Sequence, residues 1–197
     1  MSIEINNLCK SFGAPPQEIL KNVNLSIKSG ELVSIVGRSG SGKSTLLYII
    51  STLDRATSGS VKYDGLDVTT FNQDEIHLFR NQKIGFVFQF HYLLPELTVM
   101  ENILLPAQKL KIQNQKKDYA MSLISELGLD GKADRLPGQI SGGEQQRVAI
   151  GRALLMGPKY LFADEPTGNL DTTNGDKIMT LFHKINIEKK TTVIYVT

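Results

Sequence analysis

Residues 37–45 constrain the fold of this chain more than any other stretch. They read GRSGSGKST, which fits the pattern GxxxxGK(S/T), and they separate an apolar run at residues 32–36 from a helical pattern at residues 45–53. A strand, a glycine-rich loop and a helix in this order form a phosphate-binding loop, because the glycines allow successive backbone N–H groups to point at one anion. We therefore expect Lys43 to contact terminal phosphates and Ser44 to offer its hydroxyl to Mg²⁺. A flexible Gly/Ser linker, the alternative, would not require the flanking strand and helix.

The composition excludes several classes of protein. With 41% hydrophobic residues in 197, the chain can form a sizeable core in one domain with an inserted subdomain. A formal net charge of +2, with both signs spread along the sequence, gives no basic stripe, so nucleic acid is not an expected partner. The single cysteine, Cys9, favours a reducing cytoplasm. No apolar run approaches the roughly 18 residues that span a membrane, so we expect no crossing by this chain alone.

Alternating apolar and polar residues predict an antiparallel pair near the N-terminus. Residues 2–8 and 19–27 both alternate, and a Gly-Ala-Pro-Pro break lies between them. Residues 60–63 predict a further strand, followed by a tight turn at Asp64-Gly65. Later patterns predict a helix at 74–79 and strands at 84–88 and 191–196.

The middle of the chain has a helical character. Residues 98–105 and 118–127 show helical periodicity, and the basic stretch 109–117 between them predicts a solvated linker. Ser141 and Glu144 then form an S-x-x-E capping box before an apolar helical face. A cap alone does not require Gly142 and Gly143, which leave the helix N-terminus bare. The pattern therefore indicates a second anion site as well as a capped helix.

An apolar run at residues 160–163 ends in two carboxylates, Asp164 and Glu165. In α/β proteins, ligand sites lie at the carboxyl ends of the strands. An ordinary polar strand end is the alternative interpretation. Given the phosphate loop, we expect one carboxylate to hold Mg²⁺ and the other to take a proton from water.

Taken together, these residues resemble the nucleotide-binding subunits of ABC transporters over essentially the whole chain. Three of that family's motifs match in the first half of the chain: the adenine-stacking aromatic at Phe12, the Walker A loop at 37–45 and the Q-loop glutamine at Gln89. Three more match in the second half: the signature loop at 140–144, Walker B at 161–165 and the D-loop at 168–171. The family signature reads Leu-Ser-Gly-Gly-Gln, from which Ile140 and Glu144 depart.

The resemblance implies an α/β fold. It would be a P-loop NTPase (RecA-like) core with a mostly parallel sheet, an N-terminal antiparallel β subdomain and an inserted helical subdomain. Residues 1–197 would form a single ABC ATPase domain. The nucleotide-binding core, with the antiparallel part, would comprise 1–89 and 155–197, and the helical subdomain with the signature would comprise 90–154.

The resemblance also implies an ATP hydrolase that uses ATP and Mg²⁺. Catalytic roles would fall to Glu165 as general base, Gln89 and Lys43, and metal binding to Ser44, Gln89 and Asp164. The nucleotide would contact Phe12, Gly37, Arg38, Ser39, Gly40, Ser41, Gly42, Lys43, Ser44, Thr45, Ser141, Gly142, Gly143 and Glu144. Because the signature loop of this family acts on the facing protomer, a head-to-tail homodimer is implied.

Within the family, residues 90–102 (FHYLLPELTVMEN) look most like the ATPases of lipoprotein-releasing systems. They also resemble macrolide-exporter and cell-division relatives. The resemblance implies integral membrane permease subunits docking between Phe90 and Asn102, and a peripheral position at the cytoplasmic face of the bacterial inner membrane. A soluble, non-transport ABC ATPase is a further alternative. It is opposed by the lack of a long coiled coil between Lys43 and Ser141 and by the single cassette.

The family pattern continues beyond its last strand with a switch histidine. The sequence given ends at Thr197, and His77, His91 and His183 lie elsewhere. The resemblance therefore implies either a truncated chain or one that hydrolyses ATP poorly.

Overall fold

The computed structural model describes residues 2–197, in which strands and helices alternate along most of the chain. The strands are β1 (Ser2–Phe12), β2 (Gln17–Lys28), β3 (Leu32–Ile35), β4 (Ser58–Tyr63), β5 (Leu66–Asp67), β6 (Ile84–Val87), β7 (Tyr160–Asp164) and β8 (Thr192–Val196). The helices are α1 (Lys43–Ile50), α2 (Gln73–Lys83), α3 (Val99–Lys109), α4 (Gln113–Glu126), α5 (Gly142–Leu154) and α6 (Thr172–Lys189). Within the described part of the chain, no helix has both the length and the apolar character needed to cross a membrane.

Two four-stranded sheets organise these elements. The first is antiparallel with the order β2-β1-β4-β5, and the second is parallel with the order β3-β8-β7-β6. The predicted N-terminal antiparallel pair is therefore confirmed, as is the parallel sheet and the α/β class as a whole. In the antiparallel sheet, β4 pairs with β1 and then turns at Asp64-Gly65 into β5.

Alternation along the central strands separates two hydrophobic cores. On β7, Tyr160 and Phe162 face a core shared with the antiparallel sheet and α1, whereas Leu161 and Ala163 face a core built from α3, α4, α5 and α6. All four are almost fully buried. This period of two is what a strand covered on both faces requires, since successive side chains point to opposite faces. The sheet is thereby held between two layers.

Because β3, β6, β7 and β8 run parallel, their carboxyl ends meet at one edge of the sheet. The phosphate loop follows β3 there, Gln89 lies just after β6, and Asp164 ends β7. The fold thus brings together, at one edge, three segments that are far apart in the sequence.

The prediction of a solvated linker at residues 109–117 is wrong. Lys109 ends α3, and Lys116 and Lys117 lie inside α4, so only residues 110–112 connect the two helices. Partly buried Ile112 and Tyr119 pack against the helical core, while Lys117 is exposed on α4 and Lys116 is partly exposed. Lysines on the exposed face of a helix and lysines in a loop give the same charge pattern, which therefore could not separate the two.

The proposed subdomain boundaries stay a prediction. Helices α3, α4 and α5 share one hydrophobic core with α6 and with the parallel sheet. Three helices begin with capping boxes, at Asn72, Thr98 and Ser141, each paired with a glutamate three residues later. These caps explain why the helices start where they do, since each satisfies otherwise unpaired N–H groups.

A substitution at Gly85 tests the contact between β6 and α5. A Cβ at this position would lie 2.5 Å from the carbonyl oxygen of Ala153, which is backbone and cannot move aside cheaply. We expect Gly85→Ala to lower the free energy of unfolding by about 1–3 kcal/mol, measured by urea denaturation. Gly138→Ala is the matched control, because a Cβ there would meet nothing within 4 Å. Equal stability of the two variants would contradict this packing.

Candidate functional site

The N-terminus of α1 is open to an anion. Its N-cap is Gly42, with a left-handed φ of 89°, and no side chain caps the helix. The first turn carries no acidic residue either. The orphan N–H groups and the positive end of the helix dipole therefore remain available, in contrast to the capped starts of α2, α3 and α5.

Packing around the phosphate loop explains two of its glycines. A Cβ on Gly42 would lie 3.1 Å from side-chain carbons of both Ile19 and Leu20, so the hairpin strand β2 approaches the loop closely. A Cβ on Gly37 would lie 2.9 Å from Ser41 Oγ. Gly42 also needs its left-handed backbone, which a side chain would disfavour. The loop therefore has little room for side chains at these two positions.

Lys43 extends back over the phosphate loop. Its Nζ donates hydrogen bonds to the carbonyl oxygens of Gly37 at 2.8 Å and Arg38 at 3.4 Å. These acceptors are neutral, so an anionic phosphate would be the stronger partner for the ammonium group. The structure thus places the lysine charge beside the open helix terminus.

A hydrogen-bonded carboxylate joins the phosphate-loop helix to the end of β7. Ser44 Oγ donates to Asp164 Oδ1 at 2.8 Å, and Tyr48 OH donates to Asp164 Oδ2 at 2.8 Å. Asp164 is buried, with 6% of its surface exposed. Burial, and after it the hydrogen bond to Asp164, raises the pKa of Tyr48 to about 12, so the phenol stays protonated and donates at neutral pH.

Oxygen donors at this point fit a small hard cation. Ser44 and Asp164 present a hydroxyl and a carboxylate together, which is the donor type that Mg²⁺ takes, usually with water and substrate phosphates completing its shell. Among residues 2–197, no group of three or more His, Cys, Asp or Glu side chains could form an all-protein metal cage. The site therefore suits a cation that is held jointly by the protein and a phosphate ligand.

Glu165 and Gln89 lie together at the same edge. A Cβ built on Gly168 would be 3.1 Å from Gln89 Nε2 and 3.5 Å from Glu165 Oε2, so all three residues meet at one point. Asn169 Nδ2 also donates to the backbone oxygen of Gln89 at 3.1 Å. Glu165 has a left-handed φ of 42°, which is uncommon for a residue with a side chain. Such backbone strain tends to persist at functional positions.

The signature loop begins α5, at some distance from these groups. Ser141 and Glu144 bond reciprocally: the backbone N–H of Ser141 donates to Glu144 Oε2 at 2.8 Å, and the N–H of Glu144 donates to Ser141 Oγ at 3.3 Å. The bond from the Ser141 backbone lowers the pKa of Glu144, with a smaller effect from Lys132. Gly142 is exposed, and Gly143 packs on Asn174 at the start of α6. No hydrogen bond or ion pair in the described chain joins this loop to the phosphate loop of the same molecule.

Phe12 ends β1 with 47% of its surface exposed. Lys10 lies over one ring face, with Nζ 4.6 Å from the centroid, and the same ammonium pairs with Asp54 at 2.7 Å. The structure therefore leaves part of the ring accessible to a planar ligand. Adenine stacking on Phe12 stays a prediction.

Two residues that contact the site were not found from the sequence. Tyr48 lies one helical turn after Ser44 and satisfies the second oxygen of Asp164. Gln146, fully buried in α5, bonds to the backbone oxygen of Pro166, directly after Glu165. The spacing of Ser44 and Tyr48 on one helical face could have suggested the first. For Gln146, the sequence contains no comparable signal.

The chain is similar to a known family and to named relatives. The family described as "ABC transporter" matches residues 20–168. A relative named lipoprotein-releasing system ATP-binding protein LolD, from Leptospira interrogans, is 51% identical over 195 residues, covering 99% of this chain and 81% of the relative. A protein of the same name from Aquifex aeolicus is 55% identical over 181 residues, covering 91% and 80%.

Solved structures give the same result. The dimeric structure of MJ0796, described as a bacterial ABC transporter cassette, matches with a TM-score of 0.88 at 44% identity, covering 99% of this chain and 87% of that one. A second structure of MJ0796, a dimeric post-hydrolysis state bound to ADP and Pi, matches with a TM-score of 0.86 at 42% identity.

Removing the Tyr48 hydroxyl tests whether it supports Asp164. We expect Tyr48→Phe to lower the free energy of unfolding of the ligand-free protein by about 1–3 kcal/mol, since a buried carboxylate oxygen loses its donor. Urea denaturation measures the change. Tyr195→Phe is the matched control, because Tyr195 is also half-buried and its hydroxyl has no hydrogen bond among the contacts described for residues 2–197. A loss of stability in Tyr195→Phe as large as in Tyr48→Phe would refute the assignment.

Proposed function

This chain belongs to the ABC transporter family, and we propose that it is the ATP-binding and ATP-hydrolysing subunit of a lipoprotein-releasing membrane transporter. The observation that carries the ATPase part is the hydrogen bond between Ser44 and Asp164, beside an uncapped helix terminus and the Lys43 ammonium. The transport part rests on the names of the relatives, which cover nearly the whole chain. These names favour lipoprotein release over the macrolide-exporter and cell-division alternatives.

We assign phosphate binding to the α1 terminus and Lys43. The backbone N–H groups of the loop and the helix dipole would hold the phosphates, and the Lys43 side chain would exchange its carbonyl acceptors for phosphate oxygens. Ser44 and Asp164 would hold Mg²⁺, which would supply positive charge to offset the negative charge of the phosphates. Thr45 would support the α-phosphate. Phe12 would stack on the adenine with the ring face that Lys10 leaves open.

Glu165 would act as general base in this scheme. It follows the last residue of β7 and is only half-buried, so its carboxylate can accept a proton from an attacking water. Gln89, which meets Glu165 beside Gly168, would help orient that water or touch the metal. Positioning and charge stabilisation account for most of the rate in phosphoryl transfer, so these contacts decide the turnover.

A second copy of the chain would complete the site. Ser141 and Gly142 are exposed at the capped N-terminus of α5, and within residues 2–197 no hydrogen bond or ion pair joins them to the phosphate loop of their own molecule. A two-fold pair in head-to-tail arrangement would place each signature loop on the nucleotide of the other subunit and give two identical sites. The solved relative MJ0796 is dimeric, which supports a pair of subunits.

Membrane permease subunits would dock beside residues 90–102. Phe90, Tyr92 and Leu94 are exposed at 60%, 64% and 45%. A groove of about 430 Å³ lies between α2, β6, α3 and α5. Its lining is largely apolar, with Phe86, Phe88, Leu105, Pro106 and Met156, and also includes the charged Arg80, Lys109 and Arg152. Tyr92 packs edge-on against Phe88, with centroids 5.3 Å apart, so the segment and the groove form one surface. Exposed apolar area of this kind is typical of an interaction site. Such docking would hold the chain peripherally at the cytoplasmic face of the bacterial inner membrane.

Separating phosphate binding from water activation tests the ATPase assignment. We expect Lys43→Ala to weaken ATP binding roughly 10- to 100-fold, the size of a lost hydrogen bond to a charged group. Glu165→Gln should retain ATP affinity and slow hydrolysis roughly 10²- to 10⁴-fold, because a general base is lost. With ATP, the Glu165→Gln protein should shift to the dimer mass in light scattering, and Lys43→Ala should not.

Lys21→Ala is the control, since that lysine is highly exposed on β2. It should behave like the parent in all three measurements. If Glu165→Gln hydrolysed ATP at the parent rate, the role of Glu165 would have to be reassigned.

A charge on the proposed docking surface should release the partner. We expect Leu94→Glu to abolish co-purification with the permease subunits of a lipoprotein-releasing system co-expressed from the same genome. Leu66→Glu is the matched control, because Leu66 is 52% exposed but lies on β5 of the antiparallel sheet. Both variants should keep the parent's urea midpoint. Retention of the permease by Leu94→Glu would argue against docking at this segment.

A further inference from the structure

We propose that Gln146 is a positioning residue that links the partner-docking segment to the catalytic carboxylate; this rests on the hydrolysis and docking roles proposed above. Gln146 lies in α5 with none of its surface exposed. Its Nε2 donates to the backbone oxygen of Pro166 at 3.0 Å, and its Oε1 lies 2.5 Å from His91 Nδ1. One buried amide therefore bridges the chain after β7 and the chain after β6.

The chemistry of the partners fixes the direction of both bonds. The oxygen of Pro166 can only accept, so the amide nitrogen of Gln146 must face it. The amide oxygen must then face His91, which requires a proton on His91 Nδ1. Both ends of the amide are thus used. If the amide were reversed, its oxygen would face the backbone oxygen of Pro166, and neither atom could donate. The bridge therefore has a single arrangement.

At one end, the bridge acts on strained backbone. Pro166 follows Glu165, whose left-handed φ of 42° is disfavoured for a side-chain-bearing residue and more so before a proline. Such a conformation persists only where neighbouring contacts hold it. One such contact is the hydrogen bond from the Gly168 N–H to the backbone oxygen of Glu165, at 3.0 Å. The bond from Gln146 to the backbone oxygen of Pro166 is another. Loss of the bridge would let the Glu165 carboxylate shift relative to the site.

At the other end, the bridge reaches the exposed docking segment. His91 lies between Phe90 and Tyr92, the two most exposed aromatic residues of that segment. The backbone oxygens of His91 and Tyr92 each accept a 2.7 Å hydrogen bond from Arg152, which also belongs to α5. A partner that moves this segment must therefore strain contacts to α5, including the one through Gln146.

Steady-state hydrolysis of ATP by the intact chain tests the proposal. We expect Gln146→Leu to lower kcat roughly 10- to 100-fold, the order that follows a shift of about 1 Å in a reacting group. KM for ATP should change less than about threefold, because the phosphate loop is untouched. His91→Leu should lower kcat in the same direction. His91→Asn should recover most of that loss, since an Asn amide can replace the Nδ1 donor.

Asn186→Leu controls for the loss of any partly buried amide. Asn186 Nδ2 donates to the oxygens of Gly30 and Thr191 at 2.8 Å each, ahead of β3 and β8 at the opposite edge of the sheet. The Asn186→Leu variant should unfold at a lower urea concentration than the parent and should keep the parent's kcat. A kcat of Gln146→Leu within threefold of the parent, or an equal loss of kcat in Asn186→Leu, would overturn the proposal.

Nitrogen NMR of the His91 ring gives a readout that does not depend on hydrolysis. At about pH 8, where histidine is ordinarily neutral, the parent should show the Nδ1–H tautomer and Gln146→Leu should lose that preference. An Nε2–H tautomer in the parent would overturn the bridge. A parent that fails to bind or hydrolyse ATP while keeping the Nδ1–H tautomer would refute the proposed function and the positioning role of Gln146. The bridge itself would stand.

Discussion

The hydrogen bond between Ser44 and Asp164 joins two parts of the site that are 120 positions apart in the chain. Asp164 is buried, and a buried carboxylate is costly unless donors satisfy it. Ser44 and Tyr48 provide those donors from one face of α1, one helical turn apart. This pair fixes the rotation of α1 about its axis relative to β7. The bare N-terminus of the helix is therefore held at the edge of the sheet where Asp164 and Glu165 emerge.

Two of the places where the backbone departs from its ordinary preferences lie where we expect chemistry. Gly42 begins α1 in a left-handed conformation without a side-chain cap, whereas α2, α3 and α5 have capping boxes. Glu165 also has a left-handed backbone, although it carries a long side chain and precedes proline. Natural proteins give up local consistency chiefly at functional sites. Both departures lie at the same edge of the sheet, Gly42 two residues before Ser44 and Glu165 directly after Asp164.

Motifs with fixed spacing could be predicted from the sequence because they depend on few neighbours. The phosphate loop, the capping box at Ser141 and the strand ending at Asp164 are of this kind, and each lies in the predicted element. The stretch 109–117 was mispredicted because lysines on a helix face look like lysines in a loop. Tyr48 and Gln146 were missed because their roles depend on partners far away in sequence, at Asp164 and Pro166. The helical spacing of Ser44 and Tyr48 was a usable signal for the first pair, whereas only the folded chain shows the second.

Helix α5 connects the three regions whose coupling the proposed function requires. Its N-terminus carries the Ser141–Glu144 cap, its first turns carry Gln146, and its last turn carries Arg152. Thirteen helical residues span roughly 20 Å, and the helix is packed on α3 and the sheet by a fully buried face. We expect this helix to move as one rigid body. Close-packed cores switch between discrete packing arrangements and do not deform continuously. Displacement of residues 90–102 by a partner would therefore tilt the signature loop and pull on Pro166 in the same movement. Subunit closure and placement of Glu165 would then be two results of one helix motion.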